Sequence, residues 1–151
     1  MTHADPITIK RHVLNEMIEH ATYSLPSEGC GLLIGRKRKI QTFLPLINES
    51  KDENQFKITS KQLERVLSAV SFINQEVVAI YHSHPSTRAV PSSLDLRNHM
   101  DTDVKMIIVS LKHLKPTVKC YEILNHLDYK ECPLIIDNGS GKEVNENGKK
   151  V

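Results

Sequence analysis

Two histidines and an aspartate, His82, His84 and Asp95, have the residue types and spacing of a metal site. They lie in the run YHSHPSTRAVPSSLD, where the histidines stand two positions apart at the end of an apolar segment. Alternate side chains of a strand point to one face, so both imidazoles can reach one ion. Two imidazoles and a carboxylate suit a divalent metal, above all Zn²⁺, and leave one coordination position open, as catalysis requires.

The same residues also fit simpler roles. Ser92 and Asp95 have the spacing of a helix N-cap with its capping box, and an isolated His-x-His pair at a strand end is often incidental. The whole string is more specific, because His-x-His-Pro is followed by Ser-x-x-Asp and preceded by Glu28 at the start of a glycine-flanked apolar run. The capping role and the ligand role do not exclude each other.

The combination resembles the JAMM (MPN+) metalloprotease family, whose motif is a glutamate, then His-Ser/Thr-His-Pro, then Ser-x-x-Asp. The matching positions here are Glu28, His82, Ser83, His84, Pro85, Ser92 and Asp95. The resemblance covers about residues 6–136, and no motif position departs from the pattern. It implies that His82, His84 and Asp95 bind Zn²⁺. It also implies that Glu28 is the general base and that Ser92 supports the oxyanion.

The elements that must position these residues alternate between helix and strand. Apolar spacing predicts helices over residues 11–23, 59–74 and 92–101. Strands are predicted at 7–10, 29–36, 39–48, 56–58, 77–81 (with the histidines at its end), 106–111, 117–124 and 129–136. We therefore expect an α/β fold, a mixed curved β-sheet flanked by helices. The resemblance implies that this is a cytidine-deaminase-like MPN/JAB1 domain.

The length of 151 residues is that of one domain and is sufficient to bury a hydrophobic core. We expect that domain over residues 1–136. The remaining segment, residues 137–151, has almost no apolar side chains and predicts a disordered C-terminal tail.

Charge and cysteine content exclude several classes of partner. The net charge of +2 is too close to neutral to indicate nucleic acid or a membrane surface, and no apolar run approaches the roughly 18 residues that span a bilayer. Cys30, Cys120 and Cys132 have no CxxC spacing, and no signal-peptide pattern precedes them. These features predict a reduced, cytoplasmic protein with its thiols in the core, and they leave the oligomeric state open.

Two other hydrolytic sites find no support in the sequence. A serine hydrolase would need a G-x-S-x-G turn, and a zinc nucleobase deaminase would need H-x-E and P-C-x-x-C. Neither pattern occurs. His99, one helical turn after Asp95, and Cys30, two residues after Glu28, are the remaining candidates for supporting contacts.

The resembled family cleaves peptide or isopeptide bonds after the C-terminal glycine of ubiquitin and ubiquitin-like proteins. This chain lacks the insertions and extra Cys/His cluster of the eukaryotic deubiquitinating members, and it looks like the minimal prokaryotic form. The resemblance implies a zinc peptidase acting after the C-terminal Gly-Gly of a ubiquitin-like or sulfur-carrier protein. Residues 48–54 and 86–91 are candidate substrate contacts, and Gly29 and Gly31 are expected to allow close approach of a substrate backbone.

Two alternatives stay open. The chain could be a zinc peptidase acting on another target, such as cell-wall peptides. It could also be a metal-bearing interaction module with little turnover.

Overall fold

The computed structural model describes residues 4–139 and 143–149. Within these ranges the helices are α1 (Arg11–Ser24), α2 (Ser60–Phe72) and α3 (Ser93–Asn98). The strands are β1 (Ile7–Lys10), β2 (Cys30–Arg36), β3 (Lys39–Leu46), β4 (Glu76–His84), β5 (Lys105–Ser110), β6 (Thr117–Ile123), β7 (Tyr129–Cys132), β8 (Leu134–Asp137) and β9 (Glu143–Asn145). None of the described helices is long and apolar enough to cross a membrane.

The strands form one mixed sheet in the order β7-β6-β5-β4-β2-β3-β1-β8-β9. Strand β4 lies near its centre, antiparallel to β2 and parallel to β5. Strands β7 and β8 are separated only by Pro133, yet they lie towards opposite ends of this order. The sheet must therefore curl until its two ends approach each other. The predicted α/β fold with a mixed curved sheet is confirmed.

Helix α1 covers one face of the sheet. Its apolar residues recur at helical spacing, and four of them are buried: Val13, Leu14, Met17 and Ala21. They pack on a continuous cluster of strand residues that includes Leu33, Phe43 and Tyr81. This side of the sheet is a closed hydrophobic core, and we call it the α1 face.

Helix α2 lies over the opposite face, here called the α2 face. Thr59 caps this helix, since its side chain accepts a hydrogen bond from the Gln62 amide at 3.3 Å. Only Val70 of α2 is buried, whereas Leu67 keeps 42% of its surface exposed. Helix α3 follows the loop after β4 and adds Leu96 to a smaller apolar cluster.

Several predicted segments differ from the structure. The strand predicted over residues 129–136 is divided at Pro133 into β7 and β8, because proline has no amide hydrogen to donate to a ladder. The helix predicted over residues 92–101 ends at Asn98.

Residues 56–58 form no strand, because the Lys57 amide donates to the Asn48 side chain rather than to a neighbouring strand. The segment predicted to be a disordered tail contains β9, which pairs antiparallel with β8. Main-chain pairing needs few apolar side chains, and Val144 packs against the core. Residues 140–142 and 150–151 of that segment lie outside the described residues.

Candidate active site

The two histidines lie at the C-terminal end of β4, which extends further than predicted and includes both of them. Their side chains point to the α2 face, and both are buried. Pro85 follows directly and ends the strand, because proline cannot donate to the ladder. The chain then returns through residues 86–91, and Asp95 enters from the first turn of α3.

Three donor atoms meet at this point: His82 Nε2, His84 Nε2 and Asp95 Oδ2. We call them the donor triangle. The two imidazole nitrogens are 3.1 Å apart, and each lies 3.1 Å from the carboxylate oxygen. Zinc–ligand bonds of about 2.0–2.1 Å in a tetrahedron place neighbouring ligand atoms roughly 3.3 Å apart. The size and chemistry of the triangle therefore fit Zn²⁺.

Contacts around the triangle fix how each side chain is presented. His84 Nδ1 must donate to the Arg88 carbonyl at 2.8 Å, which leaves Nε2 free to ligate. The Ser92 amide donates to Asp95 Oδ2 at 2.9 Å. The ring of His82 stacks on Phe56, with centroids 4.8 Å apart and 22° between the planes. Sequence reasoning missed Phe56, which it assigned to a strand.

Charge within the triangle is distributed unevenly. Burial raises the pKa of Asp95, but hydrogen bonds from His82 and His84 outweigh it and hold the pKa well below its usual range. Burial lowers the pKa of His82. Burial also acts to lower the pKa of His84, but hydrogen bonds to Asp95 and to the Arg88 carbonyl outweigh it, so the pKa of His84 is raised. Asp95 is thus anionic at neutral pH and attracts a positive partner.

Glu28 lies two residues before the start of β2 and is only 6% exposed. Its Oε1 atom is buried and has no hydrogen-bond partner among the described residues. Burial raises the pKa of this carboxyl to about 8, against the opposing effect of His84, and Asp95 raises it further. A buried carboxylate oxygen without a partner is costly in a fold, and such atoms concentrate at functional sites.

Ser92 is the N-cap of α3, and its Oγ accepts a hydrogen bond from the Asp95 amide at 3.0 Å. The Ser92 amide bond to Asp95 completes a capping box. Because Oγ accepts in this contact, the hydroxyl proton remains available to another acceptor. Ser92 is exposed, so a ligand can reach it.

The remaining sequence candidates have structural contacts. His99 Nε2 donates to the Val104 carbonyl at 2.8 Å. Cys30 is fully buried. Burial is the main cause that raises the pKa of its thiol to about 12, and the nearby Glu28 carboxylate adds to the shift. A thiol that stays protonated is unreactive.

The chain's own atoms fill the space beside both glycines. A Cβ on Gly29 would lie 2.5 Å from Tyr81 Oη, and one on Gly31 would lie 2.6 Å from the Leu44 carbonyl oxygen. Close packing within the chain, rather than room for a substrate backbone, explains these two glycines.

A groove of about 520 Å³ reaches the donor triangle from the α2 side. It is lined mainly by apolar side chains, including Phe56, Leu63, Leu67 and Met100, and its inner end includes His82 and Asp95. The predicted contact segments 48–54 and 86–91 do not line it. The incomplete burial of the apolar stripe on α2 creates this groove, and no sequence pattern marks it.

Comparison with known proteins identifies the family. The model for "Prokaryotic homologs of the JAB domain" matches residues 10–123. This chain belongs to that family. The JAB match includes Glu28, the donor triangle and Ser92, and it extends from α1 through β6.

Two similar proteins are named as a peptidase and a protease, and one solved structure shares the fold. The CysO-cysteine peptidase of Mycobacterium tuberculosis is 28% identical over 108 residues, covering 70% of this chain and 74% of the relative. The "Probable TtuB-protein conjugate cleaving protease" of Thermus thermophilus is 31% identical over 96 residues, or 63% and 64% of the two chains. The solution structure of protein DSY2949 from Desulfitobacterium hafniense has a TM-score of 0.80 at 28% identity, and the match covers 87% of this chain and 93% of that protein.

Proposed function

We propose that this chain is a zinc-dependent peptidase with Glu28 as general base. Its substrate would be a ubiquitin-like or sulfur-carrier protein, cut at the peptide or isopeptide bond that follows the C-terminal Gly-Gly. His82, His84 and Asp95 would hold the metal.

The observation that carries the proposal is the donor triangle together with Glu28. Three buried donor atoms stand 3.1 Å apart. A buried Glu28 carboxylate oxygen, near enough for the charges of His84 and Asp95 to shift its pKa, has no hydrogen-bond partner within the described part of the chain. An interaction module would need the first feature but not the second. The unpartnered base favours hydrolysis.

Zn²⁺ in this triangle would polarise the scissile carbonyl and lower the pKa of a bound water to about 7. Glu28 would accept the proton of the attacking water and deliver it to the leaving nitrogen. Its low exposure and raised pKa suit this exchange, because a base whose pKa lies near the working pH both takes and returns a proton.

Ser92 would stabilise the tetrahedral oxyanion. Its Oγ is held at the start of α3 by the Asp95 amide, while the hydroxyl proton is free to donate. The cap therefore fixes the donor beside the metal ligand. Because the water attacks directly, no serine or cysteine nucleophile is required, in keeping with the inert Cys30.

The substrate class rests on the family and on the named relatives. One relative is named for acting on CysO-cysteine and the other for cleaving TtuB-protein conjugates. The apolar groove supports a protein substrate, since it would accept extended chain or an apolar patch beside the bond to be cut.

The test is a cleavage assay with zinc-loaded protein. The substrate is a ubiquitin-like protein ending in Gly-Gly and extended by a short C-terminal peptide, with products identified by mass spectrometry. We expect the wild type to cut directly after the second glycine. Glu28→Gln should lower the rate by at least about 10³-fold while keeping about one zinc per chain.

Glu64→Gln is the matched control, because Glu64 is exposed on α2. This variant should cleave at the wild-type rate. Equal rates for Glu28→Gln and wild type would remove Glu28 from the mechanism. No cleavage by a wild type that holds zinc would move the assignment to a different target, such as cell-wall peptides, or to a binding role.

A further inference from the structure

The orientation of the Glu28 carboxylate depends on its backbone, because Oε1 has no hydrogen-bond partner among the described residues. Glu28 lies outside the ladder between β2 and β4, which ends at the pair Cys30 and His82. Residues beyond a ladder lose its regular hydrogen bonds and need other partners to stay in place.

The peptide group between Glu28 and Gly29 has both of its polar atoms bound by side chains. The Gly29 amide donates to Ser83 Oγ at 2.7 Å. The Glu28 carbonyl accepts a hydrogen bond from Asn48 Nδ2 at 2.9 Å. Since a peptide group is planar and includes the preceding Cα, two contacts at its opposite edges fix the plane and with it the Glu28 Cα from which the side chain extends.

Ser83 ties this peptide to the strand that carries the metal ligands. It stands between His82 and His84 but points to the α1 face, and it is fully buried. Besides accepting from Gly29, it donates its own amide to the Gly29 carbonyl at 2.9 Å. One residue of β4 therefore binds both polar groups of Gly29.

Asn48 holds the other edge with a saturated side chain. Its Nδ2 donates to the carbonyls of Glu28 and Gln55, at 2.9 and 3.1 Å. Its Oδ1 accepts from the amides of Ser50 and Lys57, at 2.9 and 3.0 Å. All four hydrogen-bonding positions of the amide are used, so Asn48 cannot rotate without breaking several bonds.

Side chains of the α1 face pack closely against Gly29, so the Glu28–Gly29 peptide cannot move towards that face. A Cβ placed on Gly29 would lie 2.5 Å from Tyr81 Oη and 2.8 Å from Ser24 Oγ. Tyr81 is itself held, since its hydroxyl lies 3.1 Å from His20 Nδ1. Gly29 thus lies against a packed wall on one side, with Ser83 and Asn48 binding its peptide group.

We propose that Ser83 and Asn48 are positioning residues for the general base. They fix the peptide that follows Glu28, so that the carboxylate is oriented before substrate arrives. The inference rests on the proposed role of Glu28 and adds two residues to it: Ser83 on β4, which carries His82 and His84, and Asn48, two residues after the end of β3. Neither is a metal ligand or touches the reacting atoms.

The experiment compares Ser83→Ala and Asn48→Ala with the wild type, all zinc-loaded, in the cleavage assay described above. We expect kcat to fall about 10- to 100-fold in each, because a small misplacement of a catalytic group has an effect of this size. The KM should stay within about threefold of wild type, because neither residue lines the groove. The zinc content should stay at about one per chain, because neither residue belongs to the donor triangle. Ser83→Thr keeps the hydroxyl and should restore most of kcat.

Matched controls separate positioning from general loss of stability. Thr22→Ala removes another hydroxyl that donates to a main-chain carbonyl, that of Ile18, on helix α1 and away from the metal ligands. Asn145→Ala removes another loop-organising amide, which accepts from the amides of Asn147 and Lys149. Both should keep kcat within about threefold of wild type. Equal losses of kcat in the controls and the test variants would overturn the proposal.

A second measurement needs no turnover. Three-bond NMR couplings report whether the Glu28 side chain occupies one χ1 rotamer. We expect one rotamer in wild type and in both controls, and averaging in Ser83→Ala and Asn48→Ala. A single unchanged rotamer in those two variants would overturn the proposal. If the wild type cleaves no substrate, the proposed function fails, and the rotamer measurement still decides whether these residues position Glu28.

Discussion

The two faces of the sheet differ in how completely a helix covers them. On the α1 face, four side chains of α1 are buried in a continuous cluster that runs across the strands. On the α2 face, α2 buries one side chain and leaves an apolar groove that ends at His82 and Asp95. One face is a closed hydrophobic core, and the other keeps an unfilled apolar groove.

The difference also shows how a single strand serves both purposes. Alternation along β4 sends Tyr81 and Ser83 into the packed face and His82 and His84 into the open one. Substitutions on the α2 face should therefore affect function more than stability, and those on the α1 face the reverse. The predictions below test that division, from the largest expected effect to the smallest.

Asp95→Ala should abolish function while changing the fold little. Two imidazoles alone bind Zn²⁺ weakly, so zinc per chain should fall from about one to near zero and cleavage by at least about 10³-fold. Elemental analysis after gel filtration measures the metal, with the exposed Asp5→Ala as control. Zinc content near that of wild type would refute the ligand assignment, and the same measurement applies to His82→Ala and His84→Ala.

Met17→Ala should have the opposite profile. Met17 is fully buried on α1, so truncation leaves a cavity and should lower the free energy of unfolding by about 2–5 kcal/mol. Urea titration measures this loss. Below the unfolding transition, kcat should stay within about threefold of wild type, since the α1 core touches no substrate. A strong loss of kcat in the folded protein would contradict the separation of the two faces.

Ser92→Ala tests the dual role of the cap residue. Loss of an oxyanion donor should slow hydrolysis by roughly 10²-fold, and loss of the N-cap should lower stability by about 1 kcal/mol. Urea titration for the free energy of unfolding and kcat at full zinc loading, measured on the same preparation, separate the two roles. A near-normal rate would leave Ser92 with capping alone.

Glu28 should make the metal-free protein less stable as pH rises. The folded pKa of about 8 lies above the ordinary value of 4.5, so the folded state binds the proton more tightly. The resulting stability is fully present below about pH 4.5 and is lost as pH rises through about 8. With zinc removed by a chelator, the free energy of unfolding of Glu28→Gln at pH 8 should be higher than that of wild type by on the order of 2 kcal/mol.

Urea titrations at pH 5 and pH 8 measure this difference, with Glu64→Gln as the exposed control. The stability of Glu28→Gln relative to wild type should increase from pH 5 to pH 8, whereas that of Glu64→Gln should stay constant. A constant difference across that range would show that the Glu28 carboxyl titrates normally in the fold.

Leu67→Ala should have the smallest effect. Its side chain keeps 42% of its surface exposed and lines the groove, so stability should fall by less than about 1 kcal/mol. If the groove binds substrate, KM should rise several-fold with kcat nearly unchanged. The exposed Phe72→Ala at the end of α2 is the control, since Phe72 does not line the groove. Unchanged KM would assign the substrate to another surface.

The sequence predicted the donor triangle well because its parts are local. His82 and His84 share one strand, and Asp95 follows in the next helix, so spacing alone brings three donors together. Glu28 is remote in sequence and joins the site only through the pairing of β2 with β4. Its candidacy came from the family motif, because a single glutamate carries no pattern of its own.

The features that the sequence did not predict depend on long-range packing. Phe56 and Ile58 alternate with a lysine and so imitate a strand, but Asn48 takes the hydrogen bond that a ladder would use. An asparagine at the end of a strand is typical of any turn, so nothing marked Asn48 as a centre of contacts. The groove exists because α2 packs loosely, and periodicity predicts which residues are apolar but not how completely they are covered.

The pairing of β1 with β8 sets the order in which the chain can assemble. These strands lie almost the full described length apart in sequence, yet they form four consecutive residue pairs. During synthesis, β1 can pair with β3 early, but the hydrogen-bonding groups on its other edge stay unpaired until the segment after Pro133, which forms β8, has been made. A contact of such long range closes slowly, so the curl of the sheet should be completed late and the exposed edge of β1 should be the last part of the domain to gain protection.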